Sequence, residues 1–117
     1  MGNFQNLQVW QLAKELAINI YRLTCSKEFP KDFGYKDQIQ RAAVSIPSNI
    51  SEGDELGSNK QSAHFFYIAK GSVAELLTQI IIGHEIGYIS KNQADSLKND
   101  CRIISVMLSK LIKVRTS

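Results

Sequence analysis

Three places in this chain hold side chains that could bind or react. The first is the stretch from Gln38 to Gly53, QIQRAAVSIPSNISEG. Gln38, Arg41, Ser45, Ser48, Asn49 and Glu52 fall on one helical face, while Ile39, Ala42, Ala43, Ile46 and Ile50 fall on the other. The polar face is unusual in carrying small side chains and one Arg, with Pro47 in its middle. The second place is the run after Asp100, where Arg102, Lys110, Lys113 and Arg115 occur with no acid between them and Lys98 lies just upstream. The third is the pair His64 and His84.

The histidines carry the least. They lie on one expected helix, roughly 30 Å apart and on nearly opposite faces, so they cannot share a metal within one chain. No thiol or carboxylate joins either at ligand spacing. Cys25 and Cys101 are far apart and in no C-x-x-C pattern, which points to reduced thiols and to neither a disulfide framework nor zinc. G-x-x-x-x-G-K, G-x-S-x-G and H-E-x-x-H are all missing from the sequence. The expectation is a chain with no catalytic residues, no metal and no cofactor. Asn49-Ile50-Ser51 spells a glycosylation sequon, but inside a helix, and it is read as accidental.

The elements that position these residues are helices. From Asn6, an expected N-cap, Trp10, Ala13, Leu16, Ala17, Ile20 and Tyr21 repeat at three and four residues up to about Cys25. Ser26 to Gly34 has turn chemistry, and its Phe29, Pro30 and Phe33 should fold back onto the bundle. Helix two is expected from about Tyr35 to Glu52, stopped by Gly53 or Gly57. Ser58 and Gln61 form an S-x-x-Q box that opens helix three, which runs to about Gly87. Its stripe of Phe65, Phe66, Ala69, Val73, Leu76, Leu77, Ile80 and Ile81 suits a buried central helix. Ser90 and Gln93 repeat the box for helix four, carried by Ala94, Leu97, Cys101, Ile104, Leu108 and Leu111. With short connections and no period-two segment, the spacing predicts an all-α, up-and-down antiparallel four-helix bundle in one domain over residues 1–117.

Composition bounds the rest. A chain of 117 residues with 44% hydrophobic residues is large enough for a core of its own. The charge of +3 and pI near 8.9 permit nucleic-acid binding without requiring it. MGNFQNLQVW lacks a charged segment followed by an apolar run, and Ile80 to Ile82 is broken at once by Gly83, His84 and Glu85. No signal peptide and no membrane span are therefore expected, and the product is placed in the cytoplasm. Met1 and Gly2 begin a weak lipidation match that Asn6 spoils. Ile103, Val106, Ile112, Val114, Leu12 and Leu23 widen the apolar faces of helices four and one beyond one core, which a homo-oligomer would bury.

A tight hairpin turning near Leu56 and Gly57 would bring Arg41 level with Ser72 and within a turn of Glu75, and Ser45 level with Ile68. Arg41 is expected to pair with Glu75, with Gln38 and Ser72 adding hydrogen bonds. Gly71, Ser72, Ala42 and Ala43 would let the two backbones come close. Pro47 removes the donor for the Ala43 carbonyl and should kink the helix, with Ser48 or Asn49 available for a freed group. That kink either wraps the helix round the core or opens a binding notch. Of the cations, Arg102 and Lys113 share a helical face. They are either a polyanion patch that symmetry would multiply or a helix end complementing its dipole.

The chain also resembles a known family. Phe4, Leu7, Val9 and Trp10, then Tyr21, then Phe29 and Pro30, then QIQRAAVSIPSNISEG, then IAKGSVAEL from Ile68 to Leu76, then Gly87 and Tyr88 carry the likeness. It is similar to the small four-helix bundle family of the 23S rRNA intervening-sequence proteins and the accessory protein of diversity-generating retroelements. The resemblance implies a homopentamer with a central channel and no known catalytic activity. Within that family the retroelement accessory protein has a basic surface and binds nucleic acid and its reverse transcriptase, while most relatives have no established role. Relatives often continue basic after Gly53, whereas Asp54, Glu55 and Leu56 follow here, and this corner is expected to repel phosphate. Two functions stand side by side. One is an oligomeric adaptor binding RNA or DNA through Lys98, Arg102, Lys110, Lys113 and Arg115. The other is a protein-interaction scaffold that binds no nucleic acid.

Overall fold

A computed structural model describes residues 3–56 and 58–117. Met1 and Gly2, with the weak lipidation match, and Gly57, one of the two expected stops, lie outside the described residues. The order is a 3-10 turn at Phe4–Asn6, then α1 (Gln8–Thr24), α2 (Phe33–Glu55), α3 (Asn59–Glu85) and α4 (Lys91–Thr116). No strand occurs among the described residues. Each helix packs on the next, and α1 closes more sparsely against α4. At 1.5 Å per residue α3 is about 40 Å long, and it sets the long axis of a body 44 × 21 × 19 Å.

Local chemistry explains the boundaries. Asp32 caps α2, its carboxylate accepting from the Tyr35 N–H at 3.1 Å. Ser58 caps α3 through the Gln61 N–H, and Ser90 and Gln93 form a complete reciprocal box at α4. Gly87 has φ +86° and ends α3. The Tyr88 N–H reaches back to the Gly83 carbonyl at 2.8 Å and the Gly87 N–H to that of His84 at 3.1 Å, a Schellman closure that needs a residue free of Cβ strain. Asn6 does not cap α1: it closes the 3-10 turn, and Leu7 precedes the helix without a side-chain cap. At the other end of α1, Thr24 Oγ1 donates to the Ile20 carbonyl at 2.8 Å and accepts from Gln40 Nε2 at 2.9 Å. That bond ties α1 to α2.

All the buried apolar residues but Ala63 form one cluster fed by all four helices and by Phe29 and Ile89. Phe29 folds in as expected, against the mutually packed rings of Tyr35 and Tyr88, but Phe33 opens α2 and is 74% exposed. Ile112 belongs to the core, whereas Ile81 stands outside it. Ile112 is expected as excess over the core and Ile81 as part of the buried stripe; both expectations are reversed, because periodicity does not fix how wide the buried stripe is. Leu12, Ile103, Val106 and Val114 are exposed, as their excess over one core suggested, and Leu23 is half-buried against it. By length and composition alone α3 is apolar enough to cross a membrane. Its buried side chains are spent between α2 and α4.

The close approach of α2 and α3 is made by glycines at its two ends. A methyl group on Gly83 would overlap the Tyr35 hydroxyl and stand 2.8 Å from Ile89 Cδ1. One on Gly53 would stand 2.8 Å from Phe66 Cε1 and 3.0 Å from the Ser62 carbonyl. Gly71, expected to bring the backbones together, faces open space instead. Two substitutions separate these roles in urea unfolding. Gly83→Ala overpacks a closed contact and lowers stability by about 1–3 kcal/mol, whereas Gly71→Ala relieves helix entropy and raises it by roughly 0.5–1 kcal/mol.

Candidate functional site

Of the small polar residues of α2, Ser45 reaches α3. Ser45 Oγ and Ser72 Oγ share a hydrogen bond of 2.8 Å. Asn49 Nδ2 donates to the Ser45 carbonyl at 2.8 Å and to its Oγ at 3.0 Å. Ser72 reaches back to the Ile68 carbonyl at 3.2 Å. Ser45 rather than Arg41 is thus opposite Ser72, one helical turn from the expected register. Arg41 points away from α3: its guanidinium Nε meets Asp37 Oδ2 at 2.8 Å on the same helix, with the side chain 78% exposed. The expected pairing with Glu75 does not form; Glu75, Gln38 and Glu52 are exposed. Pro47 sits within an unbroken α2. Asn49 serves the Ser45 carbonyl, not that of Ala43, which the proline leaves without a donor.

The cations separate into two groups. Arg115 turns inward, its Nη2 2.8 Å from Asp54 Oδ1 and its guanidinium 5.4 Å from the centre of the Phe66 ring. The Asp54 side chain is only 7% exposed. Half of the acidic corner is therefore neutralised and holds the ends of α2 and α4 together. Lys98 lies 3.9 Å from Asp95, whose carboxyl is held below the usual range chiefly by its hydrogen bond from Lys91. Arg102, Lys110 and Lys113 remain exposed and have no carboxylate partner among the described residues. A phosphate would meet these three first.

Between the outer sides of α3 and α4 runs an open groove of about 640 Å³, with a floor of Val73, Ala74 and Leu77. Lys70 and Arg102 are its charged side chains, and Gly71 leaves space along one wall. Sequence reasoning passed over it. Tyr67 and Lys70, one turn apart, were a signal, but only the packing of α4 shows which side of α3 stays open. Cys101 lies against the groove, and burial pushes its thiol up to about 12, so it is no nucleophile.

At the end of the bundle that holds the α3–α4 turn, Asp32 accepts the Tyr88 hydroxyl at 2.8 Å as well as the Tyr35 N–H. The Tyr35 hydroxyl donates to the Gln79 carbonyl at 2.6 Å. His84 Nδ1 lies 3.0 Å from the Ile89 carbonyl, and His64 meets the Phe65 ring edge-on. Among the described residues no three His, Cys, Asp or Glu side chains gather as metal ligands would.

The sequence pattern of the 23S rRNA-intervening sequence proteins matches residues 5–110. A crystal structure of a protein of unknown function, from the S23 ribosomal protein family of Bacteroides thetaiotaomicron, superposes with a TM-score of 0.82 at 27% identity. The likeness covers 90% of this chain and 98% of that one. Comparison with curated proteins finds no match.

Two measurements check the site's construction. Asp54→Ala should lower stability by about 3 kcal/mol, the low end for breaking a buried pair because Arg115 stays partly in water. Arg41→Ala should move it by no more than roughly 0.5 kcal/mol, as for an exposed pair. The bonds from Tyr35 N–H and the Tyr88 hydroxyl hold Asp32 below its ordinary 3.8. A depressed carboxylate stabilises the fold above its unfolded value, and that contribution is lost as pH falls from about 4 through the folded value. Asp32→Asn should therefore flatten this part of the acid limb in a pH series of unfolding midpoints, and an unchanged slope would dismiss the contribution.

Proposed function

Because the chain belongs to the 23S rRNA-intervening sequence protein family, we propose that it is a non-enzymatic, cytoplasmic, oligomeric adaptor that binds RNA or DNA without sequence preference. The observation that carries the proposal is the set of exposed, unpaired cations Arg102, Lys110 and Lys113 on α4, in a segment with no acid after Asp100. Phosphate contacts of this kind give affinity and position but read no bases. The family's name and that of the structural relative both refer to the ribosome or its RNA, which supports a polyanion as the partner. Arg115 and Lys98 are removed from the patch, since both already serve carboxylates.

Three cations bind a polyanion weakly on one chain. A ring of identical subunits repeats them, and avidity supplies what one subunit lacks. Exposed Leu12, Ile103, Val106 and Val114 support such self-association, and a pentamer is the size that the family resemblance implies. A protein-interaction scaffold is the second reading, favoured by the apolar floor between α3 and α4.

Filter binding at low salt should show affinity for single- and double-stranded RNA that falls linearly with the logarithm of salt concentration. Replacing each of Arg102, Lys110 and Lys113 by Ala should reduce that slope by about 1 per residue removed. Absence of any salt-dependent affinity would exclude the adaptor. A monomer in sedimentation velocity at tens of micromolar would exclude the ring.

A further inference from the structure

We propose that the α3–α4 groove is a track for single-stranded nucleic acid, with Tyr67 as the platform on which an unpaired base stacks. The inference rests on the adaptor reading and names the form of nucleic acid that it takes. Single-strand sites without sequence preference combine a positively charged groove, which follows the backbone, with an exposed aromatic ring for the bases. Both parts are present here. Lys70 stands on the α3 wall and Arg102 on the α4 wall, and no Asp or Glu is among the lining residues. Lys113 continues the helical face of Arg102, and Lys60 that of Tyr67; both are exposed. None of these four cations has a carboxylate partner among the described residues. Tyr67 is 60% exposed, and Gly71, one turn further along α3, leaves open space beside it.

The rest of the groove suits an unpaired strand better than a duplex. Its lining reaches from Tyr67 to Leu77 on α3, about 15 Å at the helical rise, the length of about four nucleotides at roughly 3.4 Å each. A floor of Val73, Ala74 and Leu77 offers apolar contact to bases that have left the stack. A duplex keeps its bases inside and would meet the cations but not the ring. The clefts on the α1 side of α4 are unsuitable, because Glu28 and Asp100 line one and Glu15 and Asp100 the next, where they repel phosphate. Self-association leaves the track open. Leu12 and Ile103 line a depression toward α1 and Val114 one beside Leu7, so that only Val106 is shared with the groove.

The test uses the full chain with fluorescein-labelled oligouridine and oligothymidine of about twelve nucleotides, and a duplex RNA of the same length. Fluorescence anisotropy at low salt should show each single strand bound more tightly than the duplex. Tyr67→Ala should weaken the single strands at least fivefold, the low end for loss of one stacked base. Duplex affinity should stay within twofold and the unfolding midpoint should not move. Tyr67→Phe should keep the single-strand affinity, since the stacking face survives. Lys70→Ala should lower the single-strand salt slope by about 0.7 and leave the duplex slope as it is. Tighter binding of one strand than of the other supports the track and identifies its ligand as RNA or as DNA. Single-strand affinity indifferent to Tyr67→Ala, an equal loss for strands and duplex, or a single-strand slope unchanged by Lys70→Ala overturns the proposal. If affinity in that case still falls with Arg102→Ala and Lys113→Ala, the adaptor reading survives without the groove. A chain with no salt-dependent affinity for strand or duplex ends both.

Discussion

At Gly83 the α3 backbone passes so close to Tyr35 that a methyl group would overlap the phenol oxygen, and much of the bundle's geometry follows from that proximity. The same backbone closeness recurs at Gly53 against Ser62 and Phe66. Between these two points Ser45 meets Ser72, a pair short enough to bond across the interface and small enough not to separate it. Side chains of ordinary size at these positions would hold the helices further apart. With α2 and α3 fixed in one register, the Tyr35 hydroxyl reaches the Gln79 carbonyl, Tyr88 reaches the cap of α2, and α4 is led back along α3 to place Arg115 on Asp54.

That constraint explains why a polar helical face need not be a binding surface. Ser45 bonds to Ser72 on α3 and accepts from Asn49, so the centre of that face is spent on packing α2 against α3. The register leaves the outer side of α4 and the channel between α3 and α4 open to solvent. Arg115 illustrates the division, since a cation of the same run as Lys113 is withdrawn into structure by one buried carboxylate.

Much of the fold was legible because burial follows period. Ile39, Ala42, Ala43, Ile46 and Ile50 are all buried, and the serines at 58 and 90 do open helices. The pairing of Arg41 was not legible. Counting residues back from the turn assumes that both helices leave it at the same level, and an offset of one turn moves the partner from Arg41 to Ser45. The glycines misled for a related reason. Gly53, Gly71 and Gly83 look alike in sequence, and only the direction in which each faces separates a close contact from open space. The groove was only hinted at by Tyr67 and Lys70 because it belongs to two helices at once, and Asp54 looked like an exposed acid because its partner Arg115 lies far along the chain.

The most direct test of the register is intramolecular crosslinking. In a chain carrying Ser45→Cys and Ser72→Cys, mild oxidation should join positions 45 and 72 within one molecule, as read by peptide mapping. A chain carrying Arg41→Cys and Ser72→Cys should yield no 41–72 link under the same conditions. Efficient linkage of 41 to 72, with 45 and 72 unreacted, would contradict the account of how this bundle is held.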